Sequence, residues 1–304
     1  MEREEHENPL PGLRATIPVI YITPPDGDNV GNSLNAAQVA HYRSNGYVFP
    51  VPALSPAEAT SVRTEIEGFE RRSGLAAGHV IRNKGHLKLT HLYDLIFHPK
   101  VLDAVESVLG PDILCWGSSL FVKAGNDPGF VAWHQDSYYW GLEPDDVVSA
   151  WIALYPSTLE NGAMRVVPGS QTMPPLSHRK SDAESANMLF THEELADDVD
   201  EAKAVDITLE QGDMSLHHIK ILHGSPPNRS NGRRMGYAIR YVAPYVKQRG
   251  DMNSATLVRG EDRYGHFAKD PVPARDMDPE IVAFVDRRYG GKPLGVAAAS
   301  TGTE

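Results

Sequence analysis

Residues 113–124 read Ile113-Leu114-Cys115-Trp116-Gly117-Ser118-Ser119-Leu120-Phe121-Val122-Lys123-Ala124 and begin just after Pro111. A run of β-branched, aromatic and small side chains bounded by turn residues is a strand signal. The same texture recurs at 130–134, 147–155, 163–167, 204–209, 214–222 and 234–246. Between the runs lie Gly125-Asn126-Asp127-Pro128, Asn161-Gly162 and Pro168-Gly169-Ser170. Each favours a turn, through the conformational freedom of Gly, the fixed φ of Pro, or Asn and Asp bonding their own backbone. Strands at this spacing predict a sandwich or a double-sheet jelly roll. Residues 171–203 are polar and irregular, too long for a hairpin loop, and read as a candidate lid.

Before this β region the signals are helical. A short helix is predicted over 35–45, ending at Gly46. A second has Ser55 as N-cap, Pro56 at its first position and Glu58 closing a capping box, and runs to Ser73 before Gly74. The segment His98-Pro99-Lys100-Val101-Leu102-Asp103-Ala104-Val105-Glu106-Ser107-Val108-Leu109-Gly110 puts Val101, Val105 and Leu109 on one face of a third. A last helix is predicted at 279–289. Residues 1–32, broken by Pro9, Pro11, Pro18, Pro24 and Pro25, read as an extended arm. Residues 33–291 then form one domain and 292–304 a small-residue tail. The class is α+β with a mainly β core, the helices buttressing it.

Composition narrows the partners. Of 304 residues, 29 are Lys or Arg and 40 Asp or Glu, giving a formal net charge of −11. Such an acidic surface argues against nucleic acid and anionic membranes, because phosphate binding rests on clustered cations. A small-molecule partner is expected. The acidic, proline-broken start is not a secretory signal, and no run approaches the ~20 apolar residues of a membrane span, so the expected compartment is the cytoplasm. Cys115 is the one cysteine, which rules out an internal disulfide and a cysteine-rich zinc site. The 13 histidines leave imidazole and carboxylate to carry any metal.

The strongest chemical signal is Trp133-His134-Gln135-Asp136. On a strand, His134 and Asp136 are two apart and share a face. One imidazole and one carboxylate make two-thirds of the facial triad of non-haem Fe(II) oxygenases. The run Ser215-Leu216-His217-His218-Ile219-Lys220-Ile221-Leu222-His223-Gly224-Ser225 supplies a third ligand. Period 2 puts His217 and His223 on one face and His218 on the other, so either of the first two can serve. His223 is preferred, because the strand ends there at Gly224. Arg234 opens the next strand, where small Gly236 and Ala238 leave space beside an inward guanidinium able to clasp a carboxylate.

With these residues in place the chain resembles the phytanoyl-CoA dioxygenase family of Fe(II)- and 2-oxoglutarate-dependent oxygenases. The resemblance spans roughly residues 34–250 and is densest at WHQD 133–136, AW 150–151, ENGAMRVVPGS 160–170 and HGSPPNRSNGRR 223–234. It implies a double-stranded β-helix, the cupin-like jelly roll. It implies His134, Asp136 and His223 as iron ligands, with Arg234 on the distal carboxylate of 2-oxoglutarate. Ser225 is similar to a family residue on that carboxylate, and Lys123, Gln135 and Trp151 match positions lying against the co-substrate. The implied cofactor is Fe(II), with 2-oxoglutarate and O2 as co-substrates, and the implied products are succinate, CO2 and a hydroxylated C–H bond. Asp136 occupies the position that related halogenases leave open for chloride, so hydroxylation is the expected outcome, with desaturation or cyclisation as alternatives.

For the substrate, Tyr138, Tyr139 and Trp140 follow the metal pair and are expected to rim the cavity. Arg82, Asn83, His86 and Lys88 form a cationic stretch suited to an anionic group, against a bland reading as a solvated loop. His217 is a candidate substrate contact. Few inward cations on an acidic chain favour a small polar or anionic metabolite over an acyl-CoA. The competing readings are a non-catalytic jelly-roll binding module and a cupin-like metal isomerase or hydrolase.

Overall fold

In a β-strand successive side chains point to opposite faces, and cross-strand partners share a face. That rule organises the computed structural model, which describes residues 34–182, 184–189, 193–196, 199–250 and 254–289. The arm expected at 1–32 and the tail at 292–304 lie outside the described residues.

The large sheet contains β1 (Tyr47–Pro52), β2 (Ile113–Lys123), β4 (Val147–Ala153), β7 (Asp213–His218), β9 (Arg234–Val242), β10 (Ser254–Arg259) and β11 (Ala268–Lys269), in the order β1-β7-β4-β9-β2-β10-β11. The small sheet contains β3 (Val131–His134), β5 (Met164–Val166), β6 (Val205–Ile207) and β8 (His223–Ser225), in the order β3-β8-β5-β6. The jelly roll expected from strand texture is the fold observed. One face of the large sheet carries Leu120, Ala150, Ile152, Met214, Leu216, Met235, Tyr237 and Ile239 into a core shared with helices. Those helices are α1 (Ala36–Asn45), α2 (Pro56–Ser73) and α3 (Pro99–Leu109), which bury Tyr42, Ile66, Phe69, Val101, Leu102 and Val105 there. Burying a large aliphatic or aromatic side chain is worth about 1.5–3 kcal/mol, so this face holds the helices to the sheet. The other face packs Trp151, Ala153 and Ala238 against Met164, Val166 and Ile207 of the small sheet.

The predicted helix starts are found in place. Ser55 Oγ accepts from Glu58 N at 3.2 Å and Glu58 Oε2 accepts from Ser55 N at 2.7 Å, and Gly74 ends α2 at φ 69°. The helix expected at 279–289 is α4 (Pro279–Tyr289). Two expectations are corrected. The strand read at 214–222 ends at His218, a turn closed by Ile221 N donating to His218 O follows, and β8 restarts at His223 in the other sheet. His217 and His223 therefore do not share a strand face; they approach from facing sheets. Strands β1, β10 and β11 were not expected. In β1, Pro50 and Pro52 mask the strand signal, and Pro is tolerated because β1 is an edge strand with a register shift between Val48 and Val51. Part of the segment 171–203 pairs His178–Lys180 with Glu193–Leu195.

Candidate metal centre and co-substrate pocket

Pairing of β8 with β3 sets His223 directly opposite His134. Their rings lie 4.0 Å apart, centroid to centroid. Asp136 is not on the strand as expected: β3 ends at His134, and Asp136 has helical dihedrals, φ −59° and ψ −33°. The helical turn Ser137–Trp140 that follows directs its carboxylate back, with Oδ1 3.4 Å from His134 Nε2 and Oδ2 3.9 Å from His223 Nε2. One ligand atom from each of the three lies within 4.8 Å of the others.

The histidines are prepared for a metal. His134 Nδ1 bonds Ala132 O at 2.8 Å and His223 Nδ1 bonds Ile221 O at 3.1 Å. A carbonyl only accepts, so each ring donates from Nδ1 and turns Nε2, the nitrogen left to ligate, toward Asp136. Burial, then the neighbouring His134, depresses the His223 imidazole to about 3. Burial would raise Asp136, but His223 and His134 outweigh it and hold the carboxyl well below its usual range. Two imidazoles and one carboxylate on one side of a point are the donor set of a facial Fe(II) site.

The second pole lies where β9 pairs with β2. Arg234 and Lys123 are direct cross-strand partners, both buried. Ser225 Oγ accepts from Lys123 Nζ at 2.6 Å and from Arg234 Nη1 at 3.0 Å, and donates to Gly162 O at 2.8 Å. Lys123 Nζ also donates to Pro226 O. The Arg234 guanidinium lies 4.8 Å from the Trp151 ring centroid, while its Nε has no hydrogen-bond partner among the described residues. Trp151 fits because Gly236 faces it: a Cβ there would lie 1.8 Å from Trp151 Cζ2. The space left by Gly236 thus receives an indole rather than standing open beside Arg234. Burial and then Arg234 pull Lys123 down to about 7, and burial pulls Arg234 to about 10. Neither makes an ion pair with a carboxylate among the described residues. Two adjacent buried cations without a counter-ion are a receptacle for an anion.

A cavity of about 620 Å³ joins the two poles. The matches to known proteins bear on what it holds. The phytanoyl-CoA dioxygenase (PhyH) family model matches residues 42–236. The chain belongs to this family. It is 35% identical to the apo form of the non-haem monooxygenase ThoJ, covering 83% of this chain and 95% of that one with a TM-score of 0.73. It is 28% identical over 176 residues to a probable alpha-ketoglutarate-dependent hypophosphite dioxygenase of Stutzerimonas stutzeri, covering 58% of this chain and 61% of that protein. It is 25% identical over 287 residues to peroxisomal phytanoyl-CoA dioxygenase of Bos taurus, covering 86% of this chain and 79% of that protein. The jelly roll, the dioxygenase class and the dependence on Fe(II) and 2-oxoglutarate are those of the family.

Within this family framework the structure sorts the expected residues. His134, Asp136, His223, Lys123, Trp151, Ser225, Arg234, Tyr139, Trp140, His217, Arg82 and Asn83 all line the cavity. Gln135 does not: its side chain donates to Lys220 O and accepts from Leu176 N, tying the metal loop to the segment beyond residue 171. Tyr138 is half exposed and stacks on His178 at 3.9 Å. His86 is corrected too. It is fully buried, with Nδ1 2.7 Å from Ser118 Oγ and Nε2 3.5 Å from Asp270, which Lys84 Nζ contacts at 2.9 Å. That network ties residues 84–86 to β2 and the chain after β10, and does not line this cavity. Lys88 donates to Val80 O at 2.7 Å.

Sequence reasoning missed Arg240, Ser149 and Ser119, which also line the cavity. The signal was available for Arg240: it lies six residues after Arg234 on the same strand and so shares its face.

Proposed function

We propose that the chain is an Fe(II)- and 2-oxoglutarate-dependent hydroxylase of a small anionic metabolite, with His134, Asp136 and His223 as its iron ligands. What supports this most is one cavity with two poles: an imidazole and carboxylate cluster at one, and at the other Arg234 and Lys123, without a counter-ion among the described residues. Iron and 2-oxoglutarate, when bound, supply the oxidising power that removes hydrogen from a substrate C–H bond. The protein's part is placement. Arg234, held by Ser225 and the face of Trp151, would take the distal carboxylate of 2-oxoglutarate, and Lys123 would add a second charge. The carbonyls of Ala132 and Ile221 would keep Nε2 of both histidines free to ligate. Tyr139 and Trp140 would wall the reaction from water. Asp136 fills the third ligand position, which favours hydroxylation. The hypophosphite dioxygenase relative, named for a small anion, supports the substrate class.

The test is anaerobic titration of the Fe(II) protein with 2-oxoglutarate, followed by exposure to O2. A weak visible charge-transfer band and slow succinate formation are expected in the wild type, and neither in His134→Ala. No succinate at any iron loading overturns the proposal.

A further inference from the structure

Arg240 is a buried cation that the metal and co-substrate poles leave unused. It is 7% exposed and lines the cavity. Its Nη1 donates to Ser119 Oγ at 2.6 Å, and Ser119 donates its own proton to Arg82 O, so the guanidinium is held from one side. Trp140 and Phe121 flank it, with ring centroids 5.3 and 5.8 Å from Cζ. Its Nε has no hydrogen-bond partner. Of five N–H donors, a single bond is made to protein among the described residues, and no carboxylate lies within ion-pair distance.

Register puts Arg240 in a polar row. Arg240 pairs with Ser149 across β9 and β4, and Ser149 pairs with His217 across β4 and β7. Cross-strand partners share a face, and neighbouring strands are about 4.8 Å apart. Three polar side chains therefore stand side by side on the inner face, all lining the cavity. Ser149 Oγ and His217 Nδ1 also lack partners among the described residues, although Ser149 is 1% and His217 3% exposed. Leaving a buried polar group unpaired is costly, so three in a row on a cavity wall mark a place for a polar ligand. The row is close to the metal cluster, for the His217 ring lies 5.1 Å from that of His223. It is far from the Arg234 pole: six residues of strand span about 20 Å.

Charge says what the ligand is. Divalent iron, the Asp136 carboxylate and dianionic 2-oxoglutarate would together carry a single negative charge, which Arg234 offsets even before Lys123 is counted. Arg240 is then a surplus cation facing the cavity, and a desolvated cation draws an anion.

We propose that Arg240, Ser149 and His217 form a second oxyanion subsite, distinct from the Arg234 pole, that anchors a carboxylate of the substrate to be oxidised. This rests on the oxygenase reading for what fills the rest of the cavity. The same carboxylate chemistry is present in the metal-proximal end of 2-oxoglutarate, so the test separates the two sources.

The probe is fluoroacetate, followed by 19F NMR under nitrogen, with protein holding Ni(II) and saturating 2-oxoglutarate. Metal and 2-oxoglutarate occupancy are measured separately by elemental analysis and calorimetry, so a failed oxygenase reading appears there and not in the fluorine signal. The expected result is saturable binding with Ni(II)-enhanced relaxation of the bound fluorine. Binding weakens at least tenfold in Arg240→Gln and several-fold in Ser149→Ala, with 2-oxoglutarate affinity within about twofold in both. Arg240→Lys, which keeps the charge and loses the fork, falls between. Wild-type fluoroacetate binding in Arg240→Gln overturns the proposal. So does a tenfold loss of 2-oxoglutarate affinity in that variant, which would give the row to the co-substrate. If Arg240→Gln fails to fold, Ser149→Ala and Arg240→Lys decide, and unchanged binding in both overturns the subsite.

Discussion

Replacing Gly236 by alanine is the smallest change that tests whether Trp151 fixes the anion-binding pole. The added Cβ would lie 1.8 Å from Trp151 Cζ2, 2.3 Å from Cε2 and 2.4 Å from Cη2. Carbon contacts are comfortable from about 3.5 Å, so the indole edge has to retreat by about 1.7 Å. It has little room, for Ala238 and Ser215 flank Trp151 on the neighbouring strands, and Met164, Val166 and Ile221 share its apolar cluster. The same ring lies 4.8 Å from the Arg234 guanidinium. Overpacking of this kind costs about 1–3 kcal/mol, a fall of roughly 2–10 °C in melting temperature. Displacing a binding group by about 1 Å costs up to on the order of 10²-fold, so the Kd for 2-oxoglutarate should rise ten- to a hundredfold. Anaerobic titration of the Fe(II) protein, read in the charge-transfer band, measures it. Trp151→Phe removes the part of the ring that Gly236 faces, and in the Gly236→Ala background it should recover most of the lost affinity. The double-mutant cycle then shows coupling of at least about 1 kcal/mol. An alanine variant with affinity within twofold and unchanged melting, or an additive cycle, refutes the reasoning.

Two further outcomes follow from protonation. Burial lowers His217 to about 4, whereas in the unfolded chain it titrates near 6.5. As pH falls below 6.5 the unfolded state takes up a proton that the folded state refuses, so stability is full above 6.5 and is lost toward pH 4; His217 alone accounts for about 3 kcal/mol. Urea midpoints of the metal-free protein should fall over that window, and less steeply in His217→Gln; equal slopes would contradict the assignment. Lys123, near 7 beside Arg234, should be driven back to its charged form by the distal carboxylate of 2-oxoglutarate. Binding should then take up nearly one proton at pH 8 and almost none at pH 6. Calorimetry in buffers of different ionisation enthalpy reads this, and Lys123→Met should abolish the uptake.

Most of the fold was legible because its signals are local. The capping box at Ser55 and Glu58, the Gly74 stop, and the strands at 113–123 and 234–242 need no knowledge of partners. What failed was long-range. Strand β1 contains Pro50 and Pro52 and exists because β7 offers it an edge to pair with. The break after His218 lies inside a run, Ile219 to Leu222, whose apolar pattern continues across it. Periodicity has no means of registering that the chain crosses there from one sheet to the other. His217 and His223 both face the cavity, but from two sheets and not from one strand face as period 2 had it.

The site divides in the same way. Along β9 the sequence alternates Arg234, Gly236, Ala238 and Arg240 toward the cavity with Met235, Tyr237, Ile239 and Tyr241, which are buried in the core beneath the helices. The same alternation that places the co-substrate arginine also places Arg240, and reading the strand to its end would have found it. Ser149 was not recoverable that way. A serine within Val147-Val148-Ser149-Ala150-Trp151 is unremarkable until β4 is set between β7 and β9, whereupon it stands between a histidine and an arginine. His86 fails for the opposite reason: its neighbours Arg82 and Lys88 suggested an open cationic loop, but Asp270, 184 residues away, draws the chain inward. Residue type within a strand thus reveals what one strand offers the cavity, whereas the oxyanion row exists only through the order β7-β4-β9. A substitution that shifts β4 by one residue would turn Ser149 and Trp151 out of the cavity together, damaging the Arg240 row and the Arg234 pole at once.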